Sequence, residues 1–137
     1  MRSGLLTGAL VALGAVMAMP GAPALAHHSF AAEFDASKPI TLKGVVTKID
    51  WTNPHVWFYI NVRDEEGPTV RWGLEMGAPH QLQQRGWLRD TLKVGDVVTV
   101  AGSLARDGSN RANARTVMTT DGRTLGAASS GGDPSGR

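Results

Sequence analysis

The sequence predicts an all-β domain of five short strands, with one short helix between the third and the fourth. Three observations lead there. Apolar and polar residues alternate in short segments, Gly, Pro, Asn and Asp punctuate those segments, and one stretch between Pro79 and Gly86 breaks the alternation with helix-forming residues.

The first strand is expected over residues 40–51, where Ile40, Leu42, Gly44 and Val46 share a face. The phase shifts toward Ile49 and Trp51, which predicts a bend or bulge at Gly44. Thr52-Asn53-Pro54-His55 is a turn by composition. The second strand, 56–62, puts Val56, Phe58, Ile60 and Val62 on one face and Trp57 and Tyr59 on the other. Asp64-Glu65-Glu66-Gly67 closes a hairpin into the third strand, 69–76, with Val70, Trp72, Leu74 and Met76 opposed to Arg71, Gly73 and Glu75. Pro79 suits a first helical position, so residues 80–85 are expected to be helical, ended by Gly86. The fourth strand spans 97–104, Asp107-Gly108 turns the chain, and the fifth runs over 112–118. A final hairpin is expected around Asp121-Gly122. Phe30 and Phe34 can dock on the core as an extended arm or a single turn. This element order is that of a small barrel of the oligonucleotide/oligosaccharide-binding (OB) type; a β-sandwich is the rival, and the position of the helix favours the barrel.

Around this domain, 27–125, the chain reads as two further segments. Residues 1–26 have the form of a secretory signal peptide: Arg2 supplies a positive start, no charge occurs from Gly4 to Met19, and Ala24-Leu25-Ala26 is a small-x-small cleavage site. A membrane anchor is the weaker reading, since Pro20 and Pro23 interrupt the apolar run before spanning length. The expected location is therefore periplasmic or secreted, with no membrane anchor after cleavage. Residues 126–137 are Gly, Ser, Ala, Asp, Pro and Arg, a composition expected to be disordered.

Composition excludes several chemistries. With no cysteine there are no disulfides, thiolate metal sites or catalytic thiols. The 14 Lys and Arg nearly balance the 12 Asp and Glu, and one of those cations, Arg2, leaves with the signal. This is a poor footprint for nucleic acid, so no nucleic-acid partner is expected. No HExxH, phosphate loop, dinucleotide fingerprint or nucleophile elbow occurs, and the chain is not expected to be an enzyme.

Three stretches occur together: His27-His28-Ser29-Phe30, Trp51-Thr52-Asn53-Pro54-His55, and Leu92-Lys93-Val94-Gly95-Asp96 leading to Ala105-Arg106-Asp107-Gly108-Ser109-Asn110 and Ala112-Asn113-Ala114-Arg115. In these the sequence resembles a family of small exported bacterial proteins of uncharacterised function with an OB-like barrel. The resemblance covers roughly residues 27–125 and implies location and fold, but no activity.

Two sets of residues can carry a binding function. The first is the histidines His27, His28, His55 and His80. Cleavage after Ala26 makes His27 the N-terminal residue, whose α-amino group and ring nitrogen can chelate one metal. An imidazole from His28, His55 or His80 would complete a nitrogen site suited to copper(II), and redox chemistry there is the one enzymatic route kept. The plainer alternative is that these histidines are solvated or serve turns. The second set is Trp57 and Tyr59, with Trp51 and Trp87 as further candidates. Such a barrel face can stack on a sugar or other small ligand, or meet an envelope protein. Here the plainer alternative is that the Phe30/Phe34 arm or the short helix covers them.

Overall fold

The computed structural model describes residues 30–132. The signal segment, His27, His28 and residues 133–137 lie outside the described residues. Residues 30–33 are helical and lead into β1 (Phe34–Asp50). There follow β2 (Trp57–Arg63), β3 (Thr69–Glu75), α1 (Pro79–Gln84), β4 (Val97–Ala105), β5 (Arg111–Met118) and β6 (Thr124–Gly126). The sheet order is β3-β2-β1-β4-β5-β6, and β3 also pairs with β5 in parallel through Gly73–Arg111, Leu74–Ala112 and Glu75–Asn113. That short seam joins the two halves of the sheet, so each of the first four strands has two partners and β5 has three. This ring of pairings, with α1 between β3 and β4, is the OB arrangement.

β1 is longer than the expected 40–51 and serves both halves. Its first part, Pro39 to Val45, pairs with Ser103 to Val97; its last part, Val45 to Asp50, pairs with Asn61 to Trp57. The strand changes partner at Gly44 and Val45. A Cβ on Gly44 would lie 2.5 Å from the carbonyl oxygen of Asn61, so this crossing needs glycine. The extra residue of the bulge is not Gly44 but Thr47, between Val46 and Lys48, and its hydroxyl donates to the Tyr59 carbonyl at 3.3 Å.

The alternation buries what it predicts. Val46, Val56, Phe58, Ile60, Leu74 and Met76 fill the barrel with Val98, Val100 and Val117. Leu82 of α1 plugs one end together with Trp87, whose indole N–H donates to the Gly126 carbonyl at 2.8 Å. A second, smaller cluster lies outside the barrel, where Phe30 and Phe34 pack with Ala105 and against Trp57.

Disorder from residue 126 onward is not what the structure shows up to residue 132. Ala127, Ala128 and Ser129 are buried. The Gly77 N–H donates to the Ala127 carbonyl at 2.9 Å, Ala127 N–H to Arg115 at 2.8 Å, and the Arg85 guanidinium to the Ala128 carbonyl at 2.7 Å. Composition suggested nothing to bury, but small side chains let this backbone approach the barrel closely enough to be held by its own polar groups.

Candidate functional site

Along the outer face of the β2–β3 ribbon, three cross-strand pairs follow one another: Trp57–Glu75, Tyr59–Gly73 and Asn61–Arg71. The period of two that sends Phe58 and Ile60 inward fixes Trp57 and Tyr59 outward. The two ends of this face differ. At the Trp57–Glu75 end the Phe30/Phe34 cluster packs on the indole, and Glu75 is only 6% exposed. At the Tyr59–Gly73 end the face opens into a groove of about 580 Å³, within the size range of small-molecule sites. Trp57 is partly buried against that cluster and also lines the groove with Tyr59.

Gly73 shapes the floor of the groove. A Cβ there would meet the Tyr59 ring at 3.3 Å and the Trp57 ring at 3.7 Å, so both rings lean over bare backbone. The Arg71 guanidinium lies 4.7 Å from the Tyr59 ring centroid and the Lys48 ammonium 5.5 Å from it, both cation–π distances. The walls come from the β1–β2 connection at Thr52 and the β4–β5 connection at Asn110. Arg111, at the rim, is bonded to Asp107 at 2.8 Å. The hydroxyl and backbone N–H of Ser109, followed by Arg111, pull the Asp107 carboxyl down to about 2. Trp51 and Trp87 do not join this face: Trp51 packs against the main core and Trp87 lies within it.

The histidines are distributed differently. His55 sits in the turn after the cis Asn53–Pro54 bond, with its Nδ1 3.3 Å from Glu75 Oε1. Asn113 donates from Nδ2 to the same carboxylate oxygen at 3.2 Å and to the Ser129 hydroxyl at 2.9 Å. The hydrogen bond to Glu75 raises the His55 pKa; partial burial opposes it, and the charges of Glu75 and Glu33 add to the rise. His80 is exposed on α1. Among the described residues no group of three or more His, Asp or Glu side chains is placed to hold a metal ion.

Sequence reasoning put Arg71, Gly73 and Glu75 on the correct face of β3 but gave them no role. The signal was their shared period with Trp57 and Tyr59 across a hairpin, and it needed the pairing register to become readable.

Fold and groove together define a small OB-like barrel protein with an aromatic, partly cationic groove on the β2–β3 face. Within that class the chain belongs to a family described as Family of unknown function (DUF6152), whose model matches residues 15–114. No curated protein matches it. Among solved structures it is similar to a mitochondrial single-stranded DNA binding protein of S. cerevisiae, Rim1, at 11% identity and a TM-score of 0.47, over 60% of this chain and 92% of that one.

Proposed function

We propose that this protein is an exported binding module that takes a small ring-bearing ligand, such as a sugar, on the Trp57–Tyr59 groove. One observation carries the reading: two aromatic rings lie side by side over Gly73, between the β1–β2 and β4–β5 connections. Barrels of this type bind ligands on that face. A ring stacked there gains contact area with side chains that lose little freedom, because their neighbours already hold them. The test is a titration of the purified protein with soluble cell-envelope glycans, followed by amide NMR. Shifts at Tyr59 and Gly73 that vanish in Tyr59→Ala support the reading, and an absence of shifts with any fraction removes it. Tyr59 is the better probe, since Trp57→Ala also withdraws support from Phe30 and Phe34.

A second reading, copper binding through His27 and His28 with His55, draws support from the His55–Glu75 contact. A carboxylate on Nδ1 fixes the tautomer of an imidazole and leaves Nε2 as its ligand atom. Glu33, three residues beyond Phe30, acts electrostatically on His55, so the arm that leads back to His28 starts near it. Native mass spectrometry of the envelope-purified protein with added copper(II) tests this. Retention of one ion that His55→Ala loses supports the site, and no retention ends it.

A further inference from the structure

The charges lining the groove are compensated with one exception. Asp50 is paired with Lys48 at 3.0 Å, and Arg111 with Asp107 at 2.8 Å and Glu33 at 3.7 Å. Arg71 is exposed and, among the described residues, has no acidic partner; its guanidinium rests on the Tyr59 ring instead. That position has chemical content. A guanidinium presents a planar fork of donors that fits a carboxylate through two parallel hydrogen bonds. Contact with an aromatic ring restricts its orientation, so less freedom is lost when the anion arrives. Any ring stacked beside Tyr59 has its substituents within the neighbourhood of that fork.

The count of free cations decides the ligand class. A nucleic-acid strand carries a charge at every phosphate and is held by a track of Lys and Arg. Here one uncompensated cation stands beside two aromatic rings, which matches one negative charge on one ring. We infer that the groove selects a small cyclic monocarboxylate, its ring on Trp57 and Tyr59 and its carboxylate on Arg71. This rests on the ring-binding reading above and adds the charge and its partner. An acidic sugar and an aromatic acid share this chemistry.

The experiment titrates the purified protein with two matched pairs, D-glucuronate with D-glucose and benzoate with benzyl alcohol, at constant ionic strength, read by amide NMR. The acid of at least one pair is expected to bind about tenfold tighter than its neutral counterpart, the order expected of a charge-assisted hydrogen bond. The pair that shows the gap names the source. Arg71→Gln should bring that acid down to the level of the neutral compound, while Arg63→Gln, on the same hairpin outside the groove, should keep the gap. Equal binding of acid and neutral compound in both pairs, or a gap that survives Arg71→Gln, overturns the inference but leaves ring binding standing. No shift at Tyr59 or Gly73 with any of the four compounds overturns both.

Discussion

His55 Nδ1 lies 3.3 Å from the carboxylate of Glu75, and Glu75 stands in the three-residue seam that joins β3 to β5. A histidine on a turn is thereby tied to the closure of the barrel. Because Glu75 raises the His55 pKa above its ordinary 6.5, the charged form stabilises the fold. That contribution is fully present below the unfolded value and is lost as pH rises through the elevated folded value. With chelator present, the urea midpoint should therefore fall as pH rises from the ordinary histidine value through the elevated folded value of His55. His55→Gln should flatten this part of the profile and leave the rest. A midpoint that rises over the same range, or an unchanged profile in the variant, would show that the pair does not act this way.

Two glycines separate stability from binding. A Cβ on Gly102 would collide with the carbonyl oxygen of Asn113 on the paired strand, which cannot move without breaking the β4–β5 ladder. Gly102→Ala is expected to cost about 3 kcal/mol, the upper end for overpacked sites. At Gly73 the nearest atoms belong to the Tyr59 side chain at 3.3 Å, which can yield by a few tenths of an ångström. Gly73→Ala should leave stability within about 1 kcal/mol while displacing the ring and weakening any groove ligand. Urea denaturation and the NMR titration, run on both variants, distinguish the two outcomes.

Removing residues 127–137 deletes five hydrogen bonds to the barrel: those of Gly77 and Arg115 with Ala127, of Arg85 with Ala128, of Asn113 with Ser129 and of Gln81 with Ser130. It also strips Ala127, Ala128 and Ser129 from their buried positions. At about 1 kcal/mol for each bond, a loss of about 5 kcal/mol is expected. A truncated chain with the stability of the full one would return this segment to the dispensable tail its composition suggests.

The strands and the helix were legible because each rests on a local rule. Val56 to Val62 alternate, Pro79 starts the helix and Gly86 follows its end, and neither needs knowledge of distant residues. What was not legible depends on register or closure. The bulge falls at Thr47 because β1 must serve β2 and β4 in turn, and Gly44 shares in that crossing through the approach of Asn61. Trp87 faces the core rather than the groove because α1 plugs the barrel end. The aromatic pair was found from β2 alone, but Arg71 and Gly73 acquire meaning only once Tyr59 is set opposite Gly73.

The first and last described residues meet. A Cβ on Gly132 would lie 3.0 Å from the Phe30 ring and 2.5 Å from the Asn113 side chain. The chain therefore enters and leaves this barrel through a single point, beside the covered end of the aromatic face. Such a domain behaves topologically like a closed bead on a string. It can be spliced into a host loop, or have its ends rejoined and its backbone opened at the exposed Asp64–Gly67 hairpin, without pulling its strands apart.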